Sequence, residues 1–210
     1  MSQIETCFFE RYAHVTLKTL LGHDFDNLVN RDRPDLQTPD GRTIGIEVTR
    51  AMDQNKDAAE TLLDEVAGIV PRVEDIADFD RIISSGYSYG LQGGKYIGSK
   101  ERYYWELAKP LRSILESKIS KAVCGLYGEF DHMGLYVFCK DALDEAEVIK
   151  TMKYAMELQK FADGGYQTLY LSEINELHVC NLRDGISDGA RIAHFPIPQE
   201  LRREFFIAAV

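Results

Sequence analysis

The sequence predicts an α/β domain in which a central mixed β-sheet is flanked by helices on both faces. Three observations carry this. Segments with helical and strand periodicity come in the order helix, hairpin, helices, strand, helix, strand pair, an alternation that buries a sheet between helical layers. Residues 134–139, Gly-Leu-Tyr-Val-Phe-Cys, form a continuous apolar run, which suits a strand covered on both sides. No internal repeat, Ser/Pro-rich linker or shift of composition divides the 210 residues, so a single domain over 1–210 is expected.

The elements follow in order. Residues 3–21 read as a helix, with Phe9, Ala13, Leu17 and Leu20 on one face and Phe8, Tyr12 and Val15 on another; Gly22 is a stop signal. The polar connector 23–32 has room for a short extra strand or turn. A hairpin follows: Pro34 to Thr38, a Pro-Asp-Gly turn at 39–41, then Thr43 to Thr49. Residues 53–69 read as a helix with Asp53 as N-cap, Pro71 ends it, and 72–84 suit a second short helix.

Residues 85–98 hold five glycines and three tyrosines and read as a flexible loop without packed structure. They lack the order of a phosphate-cradling P-loop. Such a loop, with Lys95, suits either closure over a ligand or an irregular surface. Residues 100–123 are the clearest helix. Tyr104, Ala108, Leu111, Leu115, Ile119 and Ala122 form its apolar stripe, and Lys118 flanks that stripe.

Another helix is expected over 142–162, with Val148, Ile149, Met152, Ala155 and Met156 inward. Residues 168–173 and 176–182 resemble a strand pair joined by a tight turn near Ile174 and Asn175. Residues 184–195 read as loop. Residues 198–210 suit a helix with Pro198 in its first turn. Its Phe205 and Phe206 either cover the sheet or, if exposed, offer a homodimer contact.

Composition narrows the function classes. No apolar run approaches the roughly 18 residues that span a bilayer, and the first fifteen residues lack a signal-peptide layout, so no membrane partner and a cytoplasmic location are expected. The four cysteines are far apart with no C-x-x-C, and read as buried free thiols. The five histidines show no H-E-x-x-H, so no zinc centre is expected. The formal charge of −10 argues against a nucleic-acid footprint spread over the whole surface, while leaving room for a local basic cleft or a metal-mediated contact with phosphate.

The hairpin carries the chemistry. With residues 40 and 41 at the turn centre, Asp35 and Glu47 become cross-strand neighbours, about 5 Å apart on one face. Like charges that close repel. Two readings fit: a solvated edge hairpin with Ile44, Ile46 and Val48 inward and Glu47 in water, or a divalent cation held between the acids. Mg²⁺ suits the second, since it takes one or two carboxylates with water and phosphate oxygens completing its shell.

The stretch "PDLQTPDGRTIGIEVT", residues 34–49, resembles the core of the PD-(D/E)XK nuclease superfamily, whose members have the restriction-endonuclease-like fold. That family's pattern is Pro-Asp on one strand, a gap of some ten residues, then an acid–apolar–lysine triplet, within an αβββαβ core. The resemblance implies a nuclease hydrolysing phosphodiester bonds in DNA or RNA, with Mg²⁺ or Mn²⁺ held by Asp35 and Glu47. The Val48 carbonyl is a further ligand in that pattern, and an acid of the first helix, Glu10 in preference to Glu5, completes it. Thr49 stands where the family has its lysine. Lys118 is the candidate replacement, unless its stem only snorkels along the apolar stripe. Lys121 is less well placed, Lys95 would come from the glycine-rich loop, and Arg50 either reaches phosphate or ends the strand in solvent. The alternative is a nuclease fold without catalysis that serves as a binding or scaffolding module, which Thr49 and the negative charge favour.

Overall fold

The computed structural model describes residues 8–51, 91–92, 95–96, 111–139, 142–183 and 191–209. The described elements are α1 (Phe8–Leu21), a 3₁₀ turn (His23–Phe25), β1 (Val29–Asn30), β2 (Leu36–Gln37), β3 (Ile44–Ala51), β4 (Leu91–Gln92), β5 (Lys95–Tyr96), α2 (Leu111–Val123), β6 (His132–Cys139), α3 (Glu145–Leu158), β7 (Thr168–Ser172), β8 (Glu176–Asn181), β9 (Ile192–Pro196) and α4 (Gln199–Ala209). A seven-stranded mixed sheet runs β1-β2-β3-β6-β7-β8-β9. Its centre is parallel, β3 beside β6 and β6 beside β7, and both margins are antiparallel.

Both faces of this sheet are covered, which explains the unbroken apolar run in β6. Alternate residues go to opposite cores. Tyr136 and Phe138 join Ile46, Val48 and Tyr170 beneath α1 and α4. Leu135, Val137 and Cys139 join Leu169, Leu171 and Ala51 beneath α2 and α3. Helix α1 is held by rings: Phe9 packs against Phe138 at 5.2 Å, and Tyr12 meets Phe138 edge-on at 5.8 Å. Helix α3 begins at a capping box. Asp144 Oδ1 accepts from the Glu147 amide, and the Glu147 carboxylate accepts from the Asp144 amide, satisfying two amides that helix geometry leaves open.

The hairpin turn is fixed by one carboxylate. Asp40 accepts from Thr38 Oγ1 at 2.6 Å, from the Arg42 and Thr43 amides at 3.0 and 3.1 Å, and from the Thr43 hydroxyl. Beyond it the strands approach closely. A Cβ on Gly45 would lie 2.8 Å from Pro34 Cγ and 2.9 Å from Phe130, so any larger residue there forces these side chains to shift.

Several expectations need correction. Residues 192–195 belong to β9, paired along its length with β8. All five of its residues are exposed or half-buried, so it lacks the apolar alternation that marks a strand. Part of the Gly/Tyr stretch is ordered: Leu91 pairs with Tyr96 and Gln92 with Lys95, flanking a Gly-Gly dipeptide of the kind short hairpin loops use. Cys124 is exposed rather than buried, lying just past the end of α2, while Cys139 and Cys180 are buried thiols. Phe205 and Phe206 are buried against α1, Phe206 5.5 Å from Phe8 and Phe205 6.0 Å from Tyr12, so they give no basis for a homodimer. The expected helices at 53–69 and 72–84, and the part of the 100–123 helix before residue 111, lie outside the described residues. No helix among the described residues is long and apolar enough to cross a membrane.

Candidate functional site

The β2–β3 ladder pairs Leu36 with Ile46 and Gln37 with Gly45. Continuing this register by one residue sets Asp35 opposite Glu47, the arrangement expected from the turn. Pleating sends Ile46 and Val48 to the α1 core and Glu47 to the face covered by α2. Glu47 is buried, 6% exposed, so the solvated-edge reading fails: β3 is flanked by β2 and β6 and roofed by helices.

A buried carboxylate needs a partner, and α2 supplies one. Lys118 Nζ donates to Glu47 Oε1 at 2.5 Å, with the side chains 18% and 8% exposed. Burial works to lower the Lys118 pKa, but the charge and hydrogen bond of Glu47 more than offset it and hold the ammonium above its ordinary value. The lysine therefore does more than snorkel along its helix.

Asp35 is partly buried at the same end of the sheet. Its Oδ2 accepts from the Val48 amide at 2.7 Å. Burial first, then the negative charges of Glu47 and Glu10, push its pKa well above the usual carboxylate range; the Val48 hydrogen bond and Lys118 act in the opposite direction. Glu10 reaches the site through Asn30, whose Nδ2 donates to Glu10 Oε2 at 2.7 Å and to the Asp35 carbonyl at 3.1 Å. Thus Glu10, Asp35, Glu47 and Lys118 come together from four elements or their margins, with Val48 beside Asp35.

The other candidates fall elsewhere. Thr49 is buried on the Glu47 side of β3. Lys121 is exposed on α2. Arg50 does not end in solvent: it is 3% exposed, with its guanidinium over the Phe9 ring at 5.1 Å. Glu5 and the Lys95 side chain lie outside what is described.

Two tyrosines that no spacing signalled line the Lys118 side. Tyr127 and Tyr166 have ring centroids 6.3 Å apart, and the Tyr166 hydroxyl donates to the Lys118 carbonyl at 3.4 Å. Burial, then the Glu47 charge, raises the Tyr127 pKa to about 12. Tyr166 is also raised, by burial and then by Tyr127 and Glu47. Both stay protonated at neutral pH and bring hydroxyl groups to the carboxylate end.

The donor set fits a hard divalent cation: carboxylate oxygens gathered where negative charge already weighs on Asp35. The acids are not drawn into a tight triad. Among the described residues, the group in which three ligand atoms lie within 4.8 Å of one another is a different one, Glu176, His178 and His194. The sequence reading missed that group because its third member sits on β9, which read as loop. In comparisons with known proteins, no family model, curated protein or solved structure matches the chain.

Proposed function

We propose that this chain is a metal-dependent nuclease with a restriction-endonuclease-like core, hydrolysing phosphodiester bonds at the Asp35–Glu47 site. The single observation that carries the reading is the Lys118 ammonium on Glu47, 2.5 Å from its carboxylate. The motif resemblance leaves Thr49 where a lysine is expected, and the structure brings a lysine from α2 to the same carboxylate. The strand order supports the reading too: Asp35 precedes β2, Glu47 lies on β3, and β6 runs parallel beside it after a helix.

Asp35 and Glu47, with Glu10 and the Val48 backbone alongside, are the groups that would hold Mg²⁺ or Mn²⁺. When bound, the ion supplies Lewis-acid polarisation of the phosphodiester and a more acidic water. The protein's own groups do the rest. Lys118 sets a positive charge beside the acids and can donate a proton or hydrogen bond to a phosphate oxygen. The Val48 amide fixes the Asp35 rotamer, and Asn30 ties Glu10 to the Asp35 backbone. The net charge of −10 argues against a nucleic-acid footprint spread over the surface, and a local contact that neutralises few phosphates should weaken only modestly with salt.

The test is cleavage of plasmid and oligonucleotide DNA and RNA with Mn²⁺ or Mg²⁺, comparing the parent with Asp35→Ala, Glu47→Ala and Lys118→Met. Each variant is expected to lose at least about 100-fold in rate. Equal residual cleavage in all four proteins would mark contamination and end the proposal. A second reading, a nuclease fold kept as a binding module, is favoured by the same ion pair, because Lys118 already neutralises Glu47. Metal binding with no cleavage of any substrate would select it.

A further inference from the structure

Three side chains at the far margin of the sheet meet on one face. Glu176 and His178 are two apart on β8 and so point the same way, and His194 of β9 is the direct cross-strand partner of His178. This group lies three strand positions from β3, roughly 14 Å at ordinary strand spacing, and shares no residue with the Asp35–Glu47 site.

Its geometry is that of metal ligands. His178 Nδ1 and His194 Nδ1 face each other at 2.9 Å. Two nitrogens on a tetrahedral zinc, each about 2.0–2.1 Å from the metal, stand about 3.3 Å apart, so a small outward shift admits the ion. Glu176 Oε1 lies 3.5 Å from His194 Nδ1, close to the same edge length.

The ring of His178 is anchored from behind. It is 3% exposed, and its Nε2 sits 2.7 Å from Oε1 of Glu173, a carboxylate itself 5% exposed. That same oxygen accepts from the Leu143 amide at 2.8 Å. The Nε2 proton is therefore committed to Glu173, and the Nδ1 lone pair is left aimed at His194. A carboxylate behind a histidine in this way fixes the tautomer of a metal ligand and raises its basicity.

We propose that Glu176, His178 and His194 form a binding site for Zn²⁺, with Glu173 as the residue that orients His178. Three protein ligands of nitrogen and oxygen type match the count at zinc sites that keep a fourth position open. The His194 and Glu176 side chains, 42% and 36% exposed, leave that position toward solvent. The site is independent of the nuclease reading.

The experiment titrates the full chain, stripped of metal, with Zn²⁺ alone in competition with a chromophoric chelator. One equivalent of Zn²⁺ is expected to be lost in His194→Ala and in Glu176→Gln, both at half-exposed positions where the fold is kept. Circular dichroism checks this, and either folded variant suffices for the comparison. Glu173→Gln is expected to weaken affinity by about 10- to 100-fold without abolishing binding. Co²⁺ in place of Zn²⁺ is expected to give visible d–d bands with no thiolate charge-transfer band, unchanged in Asp35→Asn and in Cys124→Ser. The proposal is overturned if the parent takes up no zinc, or if folded His194→Ala or Glu176→Gln binds it as the parent does. A thiolate band, or loss of binding in Cys124→Ser, overturns it equally. Because Asp35→Asn leaves this site intact, its failure and that of the nuclease reading are told apart.

Discussion

Asp35 sits among negative charges, and the protein tolerates the resulting cost. Its pKa is raised by burial, by Glu47 and by Glu10. A carboxyl group raised in the folded state favours folding below its unfolded value of about 3.9, and that contribution is lost as pH rises through the folded value. Ionising the group therefore works against the fold. Asp35→Asn keeps an oxygen for the Val48 amide and removes the charge. It is expected to raise the urea midpoint of the metal-free protein at neutral pH, with the difference from the parent shrinking in acid. Added Mn²⁺ is expected to stabilise the parent and leave Asp35→Asn unmoved. A variant no more stable than the parent at neutral pH would show that Lys118 already offsets the repulsion.

The hairpin shows how local chemistry fixes an element and aims its side chains. Asp40 accepts four hydrogen bonds across the turn, and these hold its pKa well below the usual range. A depressed carboxylate gives stability that is present above about pH 4 and lost as pH falls through the folded value. Asp40→Ala is expected to lower the urea midpoint near neutrality, with the gap to the parent closing in acid. Gly45→Ala forces a methyl into Pro34 and Phe130, and should cost about 1–3 kcal/mol in chemical denaturation, moving the segment that carries Asp35.

This element was the most legible part of the sequence, because turn chemistry and period-two alternation act over a few residues. That Asp35 and Glu47 are neighbours followed from register, while their reading as a metal pair came only with the motif resemblance. Glu10 and Lys118 were reachable only as candidates, since helix faces narrow a choice without saying which face meets which strand. Tyr127, Tyr166 and Asn30 gave no signal: they reach the site through the sheet order. The His178–His194 pair stayed hidden for the same reason, with one partner on an edge strand whose polar side chains look like loop.

The described chain is a sheet between two unlike helical layers, and α1 depends on α4 for its cover. Phe205, 1% exposed, fills the space beside Tyr12 on the face opposite Glu47. Phe205→Ala is expected to cost about 3–5 kcal/mol by thermal or urea unfolding. If the variant stays folded, metal affinity is expected to fall less than in Glu47→Ala, since the loosened layer supplies Glu10 while Glu47 and Lys118 lie on the other face.

The Glu47–Lys118 pair spans 71 positions of sequence. The hairpin with its two acids closes over a handful of residues, whereas the ammonium that relieves them arrives only after a long loop is closed, at an entropic cost that grows with loop length. The hairpin is therefore expected to form while its carboxylates still repel, with the relief coming late. Lys118→Met should consequently speed unfolding far more than it slows refolding, a difference that the two arms of a chevron plot read directly. The contact that neutralises the acids then acts as a late latch, and the lifetime of the folded site is set by how long that latch holds.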